Sequence, residues 1–311
     1  MKELPLVTIM IPTYNQGRSL PTAIDSALQQ DYNNLEIVVA DDHSSDDTKS
    51  VLRQYSYHSK IRVVFNPKNL GRVLNYKSTL ENHAKGEWVL NLDGDDYLTD
   101  PGFVTRAIDL IQKAGPDIMF LQAGHEVRDA KGDLQSFALP QIETASKLVD
   151  GLDYFLDFHH FSHLATLFRR QPAIDLDFYR YDILSTDIES FLRLALKGKV
   201  ILLNQTVGVW VHHGGNESKK LDVNTVENNM QRITGPYEFA VSVKSSEVHR
   251  LKNWKRRQIR DYLTNYLTVA LTSTNGIKGY LKHVLINKTE VWRSLILPKV
   301  LYRVLKIKLF R

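Results

Sequence analysis

Three carboxylates, Asp93, Asp95 and Asp96, stand together in NLDGDDYL, residues 91–98, directly behind the apolar run that begins in GEWVL. Like charges packed this closely raise one another's pKa unless a cation answers them. Carboxylate oxygens are hard ligands that suit Mg²⁺ or Mn²⁺, and such ions are often shared with a substrate diphosphate. Other metal and nucleotide chemistries do not fit the spacing. An EF-hand loop opening at Asp93 needs glycine at its sixth position and glutamate at its twelfth, where this chain has Leu98 and Val104. PTYNQG, after the first apolar run, lacks the glycine triplet of a dinucleotide site, and no Gly-Lys-Ser or Gly-Lys-Thr closes a glycine-rich loop. The glycine-rich, lysine-containing opening loop of a sugar-activating nucleotidyltransferase is missing too. The chain has no cysteine, which excludes thiolate metal sites and a disulfide scaffold. What the spacing supports is a carboxylate pair at a strand end, facing a ligand pocket.

The elements that must position these acids alternate. LVTIMI, LEIVVA, IRVVF and EWVLNL predict strands, and SLPTAIDSALQQ, the segment after DDHSSDDT, and LGRVLNYKSTLENH predict helices between them. This order predicts an α/β fold with a doubly wound, mostly parallel sheet. Ligands bind such sheets at the carboxyl ends of the strands. The polar residues collect there: Thr13, Tyr14 and Asn15, then Asp41 and Asp42, then Asn66 and Asn69, then the Asp cluster. Ser44 or Ser45 is expected to cap the second helix, with Asp46 and Asp47 at its positive end. Further on, DAKGD predicts a hairpin turn between short strands, SFLRLALKG a helix closed by Gly198, and VILLN and TVGVWVHH a pair of strands.

The ordered motifs resemble family 2 glycosyltransferases of the GT-A fold, which use nucleotide-diphosphate sugars. The resemblance runs through VTIMIPTYNQGRSLPTAIDSALQQDYNNLEIVVADDHSSDDT, NLG and KGEWVLNLDGDDYLTDPGF, and resumes more loosely at TDIESFLRLALKGKV and WVHHGGNES. It implies that Pro12, Thr13, Tyr14, Asn15, Asp41 and Asp42 hold the nucleobase and ribose, with Asn69 and Gly71 forming a turn near the nucleotide. Tyr14 can stack on a base, and an Asp can accept the imino N–H of uracil. The family's Arg and Asn in the next helix fall on Tyr76 and Lys77, so Arg72 or Lys77 is expected to substitute. Asp93 and Asp95 match the family's Asp-x-Asp, with Asp95 for the metal and Asp93 for metal or ribose; Asp96 is second shell or acceptor-facing. Asp187, six residues before Arg193, matches the general base, although Thr186 replaces the usual Glu. His213 matches a histidine that reaches the diphosphate or metal. Val211 replaces an arginine, whose phosphate contact would pass to Lys219 or Lys220. The implied cofactor is Mn²⁺ or Mg²⁺. The implied reaction is inverting transfer from a nucleotide-diphosphate sugar, with UDP favoured, to a glycan or lipid-linked glycan in bacterial surface polysaccharide synthesis. Alternatives are transfer to a polyprenyl phosphate and a catalytically inactive sugar-nucleotide scaffold. His159, His160 and His163 of FHHFSHL could hold zinc, but their spacing lets only two share a helix face. They are expected to line the acceptor side or pack against aromatics.

Charge divides the chain. After residue 240 there are 16 Lys+Arg against 3 Asp+Glu, and up to it 24 against 32. An acidic catalytic domain over 1–218 is therefore expected to precede a basic helical region over 219–311. Ile259, Tyr262, Leu263 and Tyr266 follow helical spacing, as do Leu297, Val300, Leu301, Val304 and Leu305 beside Lys299, Arg303 and Lys306. The first stripe is expected to pack on protein, its own or another subunit's, and the second on an anionic membrane surface. No nucleic-acid module is recognisable. No window is long and apolar enough for a span, and residues 6–11 are too short a run for a signal peptide. The expected location is cytoplasmic, peripheral on the inner face of the cell membrane.

Overall fold

A computed structural model describes residues 4–157, 163–216 and 223–270. Strands and helices alternate through the first third: β1 (Val7–Thr13), α1 (Leu20–Leu28), β2 (Leu35–Asp41), α2 (Thr48–Tyr55), β3 (Ile61–Phe65), α3 (Arg72–Ser78) and β4 (Trp88–Asn91). There follow β5 (Tyr97–Leu98), α4 (Phe103–Ala114), β6 (Ile118–Asp129), β7 (Leu134–Ala138), β8 (Ser146–Asp150), α5 (Gly151–Asp157), β9 (Thr166–Arg169), α6 (Arg170–Asp175), α7 (Thr186–Ala195) and β10 (Lys199–His212). They build one sheet in the order β3-β2-β1-β4-β9-β6-β10-β5, with β7 added on β6 and β8 on β10. β1 runs parallel to both β2 and β4, and β6 parallel to β10. β9 enters antiparallel between β4 and β6.

Every residue of β1 is buried, because helices cover both faces of the sheet. One face of β1 (Val7, Ile9, Ile11) meets the apolar sides of α1 (Leu20, Ala23, Ile24) and α4 (Phe103, Val104, Ala107) in a single core. That packing fixes the register of β1 to β4, and so places the acids that follow β4 beside the loop that follows β1. Gly94 lies close to that loop: a Cβ on it would lie 2.6 Å from Gln16 Oε1 and 2.9 Å from Thr13 Oγ1, and those side chains would have to shift.

The strand pattern matches the expectation, with three local differences. Asp47, not Ser44 or Ser45, stands at the start of α2, and it makes no side-chain cap. The Ser44 hydroxyl is drawn instead to Asp41, and the Ser45 N–H to Asn15 Oδ1 at 2.8 Å, so both serines serve the strand-end loops. VILLN and TVGVWVHH form one 14-residue strand, β10, which stays paired to β6 through register shifts around Thr206. α3 gives way after Ser78 to a π turn (Thr79–His83) rather than continuing as α-helix. The DAKGD hairpin joins β6 to β7, with Gly132 at φ 91°.

The chain divides into two units, residues 1–182 with 186–214, and residues 183–185 with 215–311. In the second, α8 (Val223–Asn228), α9 (Gln231–Val243) and α10 (Val248–Ala270) pack together. Tyr262 donates its hydroxyl to the Val226 carbonyl at 2.5 Å, and Ile259, Leu263 and Tyr266 are buried. No helix among the described residues is long and apolar enough to cross a membrane. His159, His160, Lys219, Lys220 and the stripe over 297–305 lie outside the described residues.

Candidate active site

The loops after β2 and β3 are tied to one another by Asp42. One of its oxygens accepts from Asn66 Nδ2 at 3.0 Å and the Leu70 N–H at 2.8 Å; the other accepts from the Gly71 N–H at 2.9 Å. Asn69 donates to the Asp42 carbonyl at 3.1 Å, and Gly71 turns at φ 85° to start α3. Asp42 is thus occupied in holding the Asn69 and Gly71 turn. Its neighbour Asp41 receives Ser44 on Oδ1, and Oδ2 has no protein partner among the described residues. Pro12 and Thr13 are buried within β1, whereas Tyr14 stands 49% exposed at the strand end. Asn15, at φ 52°, takes the Ser45 N–H and binds the first loop to the second.

The Asp cluster splits three ways. Asp93 Oδ1 accepts the Tyr76 hydroxyl at 2.7 Å and Asn91 Nδ2 at 3.0 Å. Asp95 Oδ2 lies 2.8 Å from His213 Nε2. Asp96 is buried and accepts the Val211 N–H at 2.9 Å, so Val211, where an arginine was expected, serves through its backbone. Burial pushes the Asp95 carboxyl up, the Asp93 charge adds to this, and His213 opposes it. Asp96 is pushed well above the carboxylate range by burial, then by Asp95 and Asp93. Clustered carboxylates with raised pKa values are short of positive charge, and a divalent ion fits that deficit. Asp95 offers a hard oxygen suited to Mn²⁺ or Mg²⁺; the His213 Nε2 beside it, a softer donor, would have to exchange its contact with Asp95 for the ion. Among the described residues no three such side chains form a ready cage. An ion here would draw its remaining ligands from water and a diphosphate, the usual manner of Mg²⁺.

Thr186 opens α7 with Asp187 next to it, and the buried Thr186 Oγ1 has no partner among the described residues. One turn on, Glu189 is fully buried between Arg193 (2.9 Å) and Arg180 (2.8 Å). Arg193 also donates to the carbonyls of Leu176 and Asp177. This clamp holds a loop in which Asp177 and Tyr179 both have positive φ, 54° and 61°. Lys77 is committed to Asp177, so of the two candidate substitutes for the missing arginine, Arg72 is the one that faces the acids. Burial opposes the Arg72 charge, but Tyr76, Asp187 and Asp93 outweigh it and hold the guanidinium firmly protonated. Burial lowers the His163 pKa, while Asp187 and Asp93 oppose the fall. Burial, then Asp187 and Asp93, raise Tyr179 well above the ordinary phenol range. Asp93 and Asp187 thus act on the same three side chains.

Asn91 and Tyr179 carried no sequence signal as site residues, His163 was expected to line the acceptor side or pack against aromatics, and Tyr76 was visible only as a departure from the family pattern. His163 does pack on aromatic rings, those of Tyr76, Tyr179 and Phe191.

An uncharacterized glycosyltransferase of Rickettsia typhi is 33% identical over 52% of this chain and 49% of its own. Chondroitin synthase of Escherichia coli is 29% identical over 72% of this chain and 31% of its own. The chain thus spans about half, or less, of the curated relatives it matches. In fold it resembles S. aureus TarS residues 1–349 bound to UDP-GlcNAc, with a TM-score of 0.64 and 18% identity over 93% of this chain and 79% of that one. It also resembles the Pyrobaculum calidifontis mannosyltransferase PcManGT in complex with GDP-Man and Mn²⁺, with a TM-score of 0.54 and 16% identity over 99% and 81%. The sheet is that of the GT-A glycosyltransferases. The sequence model for this group matches residues 8–176, the stretch that holds all the strand-end acids up to Asp96, and the chain belongs to glycosyl transferase family 2.

Proposed function

We propose that the protein transfers a sugar, with inversion at C1, from a nucleotide-diphosphate sugar to a hydroxyl of a glycan or lipid-linked glycan. UDP is the favoured nucleotide, as in the complex of TarS with UDP-GlcNAc. The observation that carries the reading is the gathering of Asp41, Asp93 and Asp95 at the carboxyl ends of the parallel strands β2 and β4, with Asp95 2.8 Å from His213. A diphosphate side and a candidate base on opposite faces of C1 is what a single displacement there needs. Tyr14 and Asp41 take the base, while Asp42, Asn69 and Gly71 shape the turn beside it. Asp187 accepts the proton of the attacking acceptor hydroxyl. The bond from C1 to the diphosphate oxygen breaks, and the nucleoside diphosphate leaves with that electron pair. Arg72 lies where it can offset charge on the leaving group. Asp95 and His213, with Asp93, would hold Mn²⁺ or Mg²⁺, which supplies Lewis-acid stabilisation of the leaving diphosphate.

Hydrolysis of a panel of nucleotide sugars, with and without Mn²⁺, tests the reading. Turnover of at least one UDP-sugar is expected only with metal. Asp95→Ala should abolish the metal-dependent increase in donor affinity; identical calorimetric affinities with and without Mn²⁺ in wild type and variant would remove the ion from the site. Binding without turnover of any donor would leave a sugar-nucleotide scaffold.

The basic region extends the proposal to a peripheral position on an anionic membrane, each basic residue near such a surface contributing about 1 kcal/mol. Sedimentation with phosphatidylserine vesicles should fall sharply on deletion of residues 290–311. Equal sedimentation of both forms would dismiss membrane attachment through this segment.

A further inference from the structure

We propose that Tyr76 and Asn91 are positioning residues for metal binding: they anchor Asp93 by one carboxylate oxygen, Oδ1, and leave the other, Oδ2, as the oxygen for a divalent cation. The inference deepens the reading above and rests on it, since it gives Asp93 the metal rather than the ribose.

Asp93 follows β4 and is half-buried. Its Oδ1 accepts the Tyr76 hydroxyl at 2.7 Å and Asn91 Nδ2 at 3.0 Å, and its Oδ2 has no protein partner among the described residues. Chemistry fixes the direction of both bonds. A carboxylate only accepts, so the phenol O–H and the amide N–H both give. The two donors are also both uncharged. They fix the carboxylate without cancelling its charge, whereas an ion pair would do both. A carboxylate that is held but not neutralised is what a cation asks of its ligand, and ligating carboxylates are commonly hydrogen-bonded in this way from behind.

Neither donor is free to drift. Asn91 is the last residue of β4 and is 1% exposed. Tyr76 sits on α3, which is bolted to the strand ends. The Gly71 N–H at its start goes to Asp42, Asn75 Nδ2 reaches the Ala40 carbonyl at 3.1 Å, and Asn75 Oδ1 accepts Asn66 Nδ2 at 3.0 Å. The buried Tyr76 ring lies edge-on to His163 and tilted against Tyr179, with centroids 5.6 and 5.4 Å away. A ring so confined gives its hydroxyl one direction. Tyr76 has no need to reach the ligand itself, because it acts through Asp93. The element that forms the Gly71 turn thus also sets the acid after β4.

The test uses the full-length protein with UDP and reads Mn²⁺ binding directly, from the loss of the free-ion signal in electron paramagnetic resonance. Tyr76→Phe keeps the ring and removes one hydroxyl. Mn²⁺ affinity should fall about tenfold, the lower end of the range for losing a group that orients a metal ligand. Calorimetric affinity for UDP without metal should stay. Combining Tyr76→Phe with Asn91→Ala should weaken Mn²⁺ further, since Oδ1 then has neither donor. Tyr154→Phe is the control: it removes another buried hydroxyl, which donates to Gln122 at 2.7 Å, and should leave Mn²⁺ affinity unchanged. An equal loss of metal-free UDP binding in Tyr76→Phe would put Asp93 on the nucleotide and overturn the assignment. An equal fall in Tyr154→Phe would make the loss a general one and overturn it too. A wild type that takes up no Mn²⁺ with UDP overturns the metal role proposed above and this inference together. Mn²⁺ uptake by the wild type that neither Tyr76→Phe nor the double variant weakens overturns this inference alone.

Discussion

Asp187→Asn is expected to lower sugar transfer by about 10²–10⁴-fold, the range for removing a general base, while leaving UDP affinity unchanged. Asparagine matches the shape of aspartate and keeps the start of α7 in place, so the loss isolates proton transfer from positioning. A second readout checks the location of the group. The Asp187 charge opposes the downward shift of His163, so Asp187→Asn should move the His163 titration, followed by NMR of its ring protons, to lower pH. Transfer at the wild-type rate would sink the assignment of the base. An unmoved His163 titration would separate Asp187 from the pocket.

The largest effect on stability is expected from Glu189→Leu. Glu189 is fully buried, and it answers Arg193, which is 1% exposed, together with Arg180. Removing one partner of a buried pair leaves an uncompensated charge, a loss of about 3–5 kcal/mol. Glu189→Gln should lose less, because its amide oxygen still accepts from Arg193. Urea denaturation compares the three proteins, and equal midpoints would show that the pair does not hold the fold. In Glu189→Leu the loop carrying Asp177 and Tyr179 loses the support that Glu189 gives its Arg193 anchor.

The sheet was legible because its signal is local. Short apolar runs at β1 to β4, each closed by polar residues, determine both the strands and the end at which ligands gather. The Asp cluster and Asp187 were legible as motifs in order. Other features depend on packing that no motif encodes. Ser44 and Ser45 looked like helix caps, but Asp41 and Asn15 compete for them across loops. The single strand β10 was read as two because Asn204 and Gln205 interrupt its apolar pattern, while pairing to β6 spans the interruption. Tyr179 has no sequence signal: its place follows from Arg193, Ser190 and His163, and its positive φ from the loop they jointly hold. Asp42 read as a nucleotide ligand, yet every bond recorded for its carboxylate is to the neighbouring turns.

The bond between Asp95 and His213 joins residues 118 positions apart, across strands β5 and β10. During synthesis, the acids after β4 therefore leave the ribosome long before the histidine that answers them. Contacts of such separation form late, after the loop-closure entropy between them has been overcome. A nascent chain ending before β10 carries the nucleotide-side loops and the acid cluster but lacks the imidazole. On the proposed metal role, the pair that would hold the ion is complete only once the final strand of the sheet inserts.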